Sequence, residues 1–138
     1  MKFDISFERV YLHPPEKVWR ALIDPTALGE WLMETDFEPK VGRNFRMWCE
    51  DGAGGTDTYH CVLLEYDPPN RMLWSWLLAG RQDAGETFVE FRIEPVAGGT
   101  KVTINHTGDR DAETIESFKG GWPYKLDLLS TVLSVLSR

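Results

Sequence analysis

The chain has 138 residues, with 15 Lys and Arg against 22 Asp and Glu, which gives a formal net charge of −7. This length fits a single domain, residues 1–138, that can bury enough surface to fold without a disulfide or a structural metal. The acidic balance argues against nucleic acid and anionic membranes as partners, and the six Trp exclude a disordered chain.

The first predicted element is a strand in which apolar and polar residues alternate. Phe3, Ile5 and Phe7 are separated by polar residues, and this period of two is typical of a half-buried strand. The pattern runs to Leu12 but changes phase near residues 8–9. A phase change of this kind predicts a β-bulge at that point.

Two short helices are predicted after this strand. Pro15 suits the first turn of a helix, because the N–H that proline lacks would have no partner there. An apolar stripe follows at helical spacing over residues 18–23. Asp24 then predicts the N-cap of a second helix, with Pro25 behind it, and we expect this helix to end near Trp31.

The middle of the chain predicts an antiparallel sheet with one buried and one solvent-facing side. Turns rich in glycine or proline at 51–55, 67–70 and 97–99 separate segments of alternating polarity. Short segments joined by such turns are typical of a meander. The residues expected to share the buried side are Phe45, Met47, Cys49, Met72, Trp74, Trp76, Leu78, Val89, Phe91, Ile93, Val102, Ile104 and His106.

The last predicted element is a helix large enough to cover the buried side of the sheet. Its apolar residues recur at steps of three and four, which is the spacing of one helix face. Gly120, Gly121 and Pro123 interrupt the stripe, so we expect a short helix before Gly120 and a long one over about residues 121–137. The stripe consists of Ile115, Phe118, Trp122, Leu126, Leu129, Leu133 and Leu136.

Features that bear on location indicate a soluble cytoplasmic protein. Two cysteines, Cys49 and Cys61, without any further framework favour a reducing compartment. The first residues lack the apolar segment of a signal peptide. No stretch approaches the roughly 18 consecutive apolar residues of a membrane span.

The predicted inner surfaces of the sheet and the helix carry an unusual number of rings. Two interpretations stay open, an aromatic-lined pocket with a few polar groups or a filled hydrophobic core. We take this inner surface as the candidate ligand-binding site. Its residues are Phe45, Met47, Trp74, Trp76, Phe91, His106, Trp122, Leu126 and Leu129.

His106 is the candidate polar group of this surface. Near a strand end, its imidazole could orient a ligand or act as an acid or base, or it could simply be hydrogen-bonded within the core. Metal binding is not predicted, because His60 and Cys61 are adjacent and point to opposite sides of a strand. The sequence also lacks a nucleophile motif, so we predict no catalytic residues and no cofactor.

Four groups of residues together resemble a known family. They are residues 14–19 followed by Asp24 and Trp31, residues 65–72 leading to Trp76, residues 99–108, and residues 121–129. In this order they resemble the activator of heat-shock-protein-90 ATPase homologue family, within the START-like (SRPBCC) superfamily. The resemblance covers nearly the whole chain. His13 and the Gly-rich loop at 51–55 depart from the family pattern.

The resemblance implies an α+β helix-grip fold, in which a curved antiparallel sheet wraps around a long C-terminal helix, with two short helices after the first strand. Such domains commonly enclose a cavity for an apolar or aromatic small molecule, which favours the pocket over the filled core. Relatives include a co-chaperone, resistance proteins for natural products and, more distantly, polyketide cyclases. The family name also associates the chain with the stress response.

The function expected from these observations is non-catalytic binding of an apolar or aromatic small molecule between the sheet and the C-terminal helix. The ligand would enter between the Gly-rich loop and the N-terminal end of that helix. One alternative is a co-chaperone-like module that binds a chaperone, and Trp48 could anchor a homodimer or another partner. A second alternative is an enzyme of the cyclase or hydrolase type that uses His106 as a base.

Overall fold

The computed structural model describes residues 1–79 and 85–136. Seven strands form one curved antiparallel sheet in the order β1-β7-β6-β5-β4-β3-β2. In chain order the elements are β1 (Lys2–Tyr11), α1 (Pro15–Ile23), α2 (Pro25–Trp31), β2 (Glu34–Thr35), β3 (Asn44–Glu50), β4 (Thr56–Asp67), β5 (Arg71–Leu78), β6 (Thr87–Val96), β7 (Gly99–Asp109) and α3 (Ala112–Val135).

The two short helices and the meander are confirmed. Pro15 and Pro25 occupy the first turns of α1 and α2, and the Asp24 carboxylate accepts a 3.0 Å hydrogen bond from the Ala27 N–H. Consecutive strands from β2 to β7 pair with each other, and β1 closes the order by pairing with β7. Local turn chemistry therefore places these elements as the sequence predicts.

The helix α3 packs against the inner side of the sheet and against the short helices. The Tyr11 hydroxyl at the end of β1 donates a 2.7 Å hydrogen bond to the Leu126 carbonyl of α3. On another side, the Lys125 ammonium donates a 2.6 Å hydrogen bond to the Leu32 carbonyl at the end of α2. These contacts join elements about a hundred residues apart in sequence, and they hold α3 across the sheet.

The predicted bulge near residues 8–9 is wrong. β1 pairs with β7 without interruption from Lys2 to Tyr11, and the register shift of the sheet lies instead between Leu63 and Glu65. Arg9 keeps the phase of the inner side, because its guanidinium reaches α3 and pairs with the Asp127 carboxylate at 2.6 Å. The apparent change of phase in the hydrophobic pattern is therefore a charged residue at a position that faces the inner side of the sheet.

The predicted break in the C-terminal helix is also wrong. α3 is one helix from Ala112 to Val135, with Pro123 inside it. An internal proline removes one backbone hydrogen bond and typically costs about 3 kcal/mol. Burial of Ile115 and Trp122 on one side of Pro123, and of Leu126 on the other, keeps the helix continuous. The expected end near Ser137 lies outside the described residues.

Candidate functional site

The predicted site residues come together between the sheet and α3. β3 supplies Phe45 and Met47, β5 supplies Trp74 and Trp76, and β6 and β7 supply one residue each, while α3 supplies the rest. All of them are buried, and the most exposed is Trp76 at 6%. The complete set is Phe45, Met47, Trp74, Trp76, Phe91, His106, Trp122, Leu126 and Leu129.

The rings of this interior pack closely. The Trp74 ring lies 4.6 Å from Phe91 and 5.0 Å from Phe45, and Phe91 lies 6.2 Å from Trp122, measured between ring centroids. Phe37, which the sequence analysis missed, completes the cluster at 5.3 Å from Trp74. It lies between β2 and β3, outside any periodic segment, so only its hydrophobicity could have pointed to it.

His106 is held by a hydrogen-bond chain inside the protein. The Trp122 indole donates from Nε1 to the imidazole Nδ1 at 3.0 Å. Since Nδ1 accepts, the imidazole carries its proton on Nε2, which lies 2.8 Å from the Thr87 hydroxyl oxygen. The Thr87 hydroxyl in turn donates to the Trp76 carbonyl at 3.3 Å. In these three hydrogen bonds, every N–H or O–H donor faces an acceptor.

This arrangement makes His106 a poor base. Burial, together with the positive charge of Arg110, lowers the pKa of His106 from 6.5 to about 3, so the imidazole is neutral near pH 7. Both ring nitrogens are already hydrogen-bonded, to Trp122 and Thr87. A general base needs a free nitrogen within reach of the substrate proton. The geometry therefore supports a structural role for this imidazole over a catalytic one.

A recess of about 220 Å³ opens at the N-terminal end of α3. It lies between the first turns of α3 and the strands β4 and β5, and no residue of the Gly-rich loop at 51–55, where the sequence predicts the ligand to enter, lines it. Leu78 and Phe118 were expected on the buried side of the sheet and on the buried face of the helix, but no recess was predicted beside them. The residues that line it are Tyr59, Leu78, Arg110, Glu113, Thr114, Ser117 and Phe118.

The recess borders the aromatic interior. Tyr59 lines the recess and its ring lies 5.3 Å from Trp76, while Phe118 lies 4.2 Å from the His106 ring. Trp76 and His106 in turn lie 5.8 Å and 6.0 Å from Trp122. None of the nine predicted site residues lines the recess itself, and the Tyr59 and Phe118 rings separate it from them.

Two buried hydrogen-bond donors beside the recess lack partners among the described residues. They are Nε1 of Trp76 and Nε of Arg110. Arg110 is only 8% exposed and follows the last strand immediately, just before the N-cap residue Asp111. Buried donors without partners are rare in folded proteins, and they often mark the place of a water or a ligand. Arg110 was not predicted, because its burial depends on contacts far away in sequence.

A larger pocket lies elsewhere on the surface. It measures about 400 Å³ and is more open, and it is formed by the turn after β1 and the turn between β6 and β7. His13 and three prolines contribute to it, and the His13 ring is already joined to Lys17 at 3.2 Å. We favour the smaller recess as the functional site, because it is more enclosed and is lined by a buried charged group.

The described residues offer neither a metal cluster nor a membrane-spanning helix. Within residues 1–79 and 85–136, no group of three or more His, Cys, Asp and Glu side chains is placed to hold a metal ion. Among the described helices, none has the length and apolar character needed to cross a membrane. Cys49 and Cys61 are both free thiols.

Comparison with known proteins places these features in a family. The family model for Activator of Hsp90 ATPase homolog 1-like protein matches residues 12–134. A solved structure, protein MLL2253 from Mesorhizobium loti, is 32% identical with a TM-score of 0.87, covering 99% of this chain and 100% of that chain. Protein CV1439 from Chromobacterium violaceum is 25% identical with a TM-score of 0.84, covering 94% of this chain and 96% of that chain.

A third solved structure comes from a different bacterium. CalU16 from Micromonospora echinospora is 25% identical with a TM-score of 0.75, and the likeness covers 96% of this chain and 76% of that chain. A search of the curated proteins finds no match. The helix-grip fold predicted from the sequence is thus shared with these solved structures.

Proposed function

The chain belongs to the family of Activator of Hsp90 ATPase homolog 1-like proteins, and we propose that it binds an apolar or aromatic small molecule without catalysing a reaction. The ligand would sit in the recess at the N-terminal end of α3, in front of the aromatic interior. The observation that carries the proposal is the recess itself, whose Tyr59 and Phe118 rings adjoin Trp76 and His106.

The size and lining of the recess support a small ring-bearing ligand. Pockets for drug-sized molecules measure roughly 300–1,000 Å³, whereas this recess measures about 220 Å³, which suits a compact ligand of two or three rings. Rings in the wall offer flat apolar contact, and each Å² of apolar surface removed from water contributes about 25 cal/mol before ordering costs. Deeper entry would require Trp76 or Phe118 to change rotamer.

The state of His106 supports binding over catalysis. An enzyme of the cyclase or hydrolase type would need an acid or base exposed to its substrate. His106 is fully buried, and its nitrogens are engaged by Thr87 and Trp122. In the proposed function this imidazole holds the ring cluster in place and makes no direct polar contact with the ligand.

The test uses N-phenyl-1-naphthylamine, a neutral aromatic dye that fluoresces in apolar surroundings. We expect saturable binding at one site per chain. Trp76→Ala should weaken the affinity by about tenfold or more, because the Tyr59 ring in the recess wall loses the indole that packs behind it. Phe118→Ala, at a half-buried position that costs less stability, should weaken it in the same way.

Trp19→Ala is the matched control. Trp19 is buried to a similar extent at 5% and packs at 5.9 Å against Tyr66, which does not line the recess, whereas Trp76 packs against the lining residue Tyr59. A Trp→Ala change in a core typically costs about 3–5 kcal/mol of stability, so both Trp variants should be destabilised comparably. The proposal is overturned if the dye shows no saturable site, or if folded Trp76→Ala and Phe118→Ala proteins bind it as tightly as the wild type.

A further inference from the structure

Resting on the proposed function, we infer that the recess selects acidic ligands, in particular aromatic carboxylates whose anionic group pairs with the guanidinium of Arg110. The apolar part of such a ligand would lie against Tyr59, Leu78 and Phe118, and its carboxylate would point toward the start of α3.

The charge of Arg110 is poorly compensated by the residues that the structure describes. Its side chain is 7% exposed, and among residues 1–79 and 85–136 its Nε atom has no partner and its nearest carboxylate oxygen, on Asp111, is 3.7 Å away. By contrast, the guanidinium of Arg71 contacts Glu65 at 2.6 Å and Glu90 at 2.7 Å. A buried charge is costly unless it is paired and hydrogen-bonded, so Arg110 is suited to receive an anion.

Asp111 supplies only a long ion pair at 3.7 Å, because its carboxylate also caps α3. It accepts a 3.1 Å hydrogen bond from the Thr114 N–H and a 2.8 Å hydrogen bond from the Thr114 hydroxyl. If this carboxylate turned toward Arg110, the first turn of α3 would lose its cap. The equilibrium constant for forming the helix would then typically fall by up to about tenfold. The remaining contact of Arg110, from Nη2 to the Thr114 hydroxyl, is long at 3.4 Å and involves a neutral group.

The position of Arg110 gives a second electrostatic reason for an anion to bind there. It precedes the 24-residue helix α3, whose N-terminal end carries a partial positive charge. A carboxylate also matches the planar guanidinium, since it can accept two parallel hydrogen bonds from it. The Tyr59 hydroxyl is a further polar group on the recess wall. Burial raises the pKa of Tyr59 to about 12, so the hydroxyl stays protonated and can donate.

Glu113 also lines the recess and opposes an anion there. Its side chain is exposed, so it can turn into water, where its repulsion is screened. Replacing it by the isosteric neutral residue should therefore strengthen binding of a carboxylate and leave a neutral ligand unaffected. The comparison therefore distinguishes an effect of the charge in the recess on affinity from an effect of the shape of the recess.

The test compares naphthalene-2-carboxylate with naphthalene-2-carboxamide, which has nearly the same shape but no charge. Calorimetric titration of the wild-type protein at pH 7 should give about tenfold or higher affinity for the carboxylate. Arg110→Met, which keeps an unbranched side chain, should remove the preference by lowering the affinity for the carboxylate to that for the carboxamide. Arg92→Met is the matched control, because Arg92 is 51% exposed and does not line the recess, and it should keep the preference.

Each outcome separates this inference from the proposed function. Equal affinity for the two compounds in the wild type, with dye binding intact, overturns the inference and leaves the proposed function standing. Failure of both compounds and of the dye to bind overturns both. If Arg110→Met does not fold, Glu113→Gln decides the matter, since it should raise carboxylate affinity severalfold at unchanged amide affinity, and no change would count against an anionic ligand.

Discussion

The indole Nε1 of Trp122 donates a 3.0 Å hydrogen bond to the imidazole Nδ1 of His106, and this bond joins α3 to β7 in the centre of the protein. The opposite nitrogen of the imidazole lies 2.8 Å from the Thr87 hydroxyl on β6. A neutral imidazole satisfies both contacts, whereas a protonated one would place an N–H against the indole N–H. The packing of α3 on the sheet thus depends on the protonation state of one side chain.

The first prediction concerns stability at acidic pH. Burial, aided by the charge of Arg110, lowers the pKa of His106 to about 3 in the folded protein, against 6.5 as its ordinary value. Between these values the unfolded chain binds a proton that the folded protein does not, so the free energy of unfolding decreases as pH falls from 6.5 toward 3. The decrease due to His106 reaches about 1.4 kcal/mol per pH unit.

Urea denaturation of wild-type and His106→Gln proteins at several pH values tests this. At pH 7.5 the variant should be less stable by about 1–3 kcal/mol, because buried hydrogen bonds are lost. Toward pH 4.5 the difference should shrink or reverse, since the variant lacks the titrating group. His60→Gln, at an exposed position, is the control for the substitution itself and should change the free energy of unfolding at pH 7.5 by less than about 0.5 kcal/mol. A constant difference between wild type and His106→Gln across this range would contradict the prediction.

The second prediction concerns Gly120 in the middle of α3. A Cβ added there meets no atom within 4 Å, and the residue is exposed. Glycine in a helix interior is about 0.5–1 kcal/mol less favourable than alanine, so Gly120→Ala should raise the melting temperature. Gly99→Ala is the opposing control, because its Cβ would collide with the Tyr11 carbonyl oxygen, and it should destabilise the protein strongly. A lower melting temperature for Gly120→Ala would indicate that α3 is not continuous at this point.

The third prediction concerns the two thiols. Cys61 is 1% exposed, and burial raises its pKa to about 12, while Cys49 is only half-buried. Because the thiolate is the reactive form, Cys61 should resist a disulfide reagent at pH 8 until the protein unfolds. Reaction of Cys49 should precede that of Cys61 by at least about tenfold in rate. Mass spectrometry of the labelled protein identifies which thiol has reacted, and the Cys49→Ser variant gives the rate for Cys61 alone. Rapid labelling of Cys61 in the folded protein would contradict the prediction.

Much of the fold could be predicted because its signals are local. The alternation of Met72, Trp74 and Trp76 identifies a strand with one buried side, and Asp24 followed by Pro25 identifies a helix start. The failures at Arg9 and Pro123 have a common cause. Each residue disfavours the observed structure by local propensity, and contacts with a distant element compensate. Arg9 pairs with Asp127 of α3, and the residues around Pro123 are buried against the rest of the protein.

The candidate site divides in the same way. The rings and His106 could be predicted as an inner surface, since they recur at strand or helix spacing. The recess could not, because it arises where Tyr59 and Leu78 from the sheet meet Arg110 and Phe118 near the start of α3. The unpaired donor of Arg110 was likewise hidden, because an arginine between a strand and a helix is ordinarily solvated.

The sequence by itself determined the order of the elements and the side that each buries, because periodicity and turn chemistry act over a few residues. Only the tertiary structure decided that α3 runs unbroken past Pro123 and that His106 is engaged by partners 16 and 19 residues away. It also decided that Arg110 is buried beside a recess. These features depend on which distant surfaces meet, and the free energy of those contacts outweighs local preference.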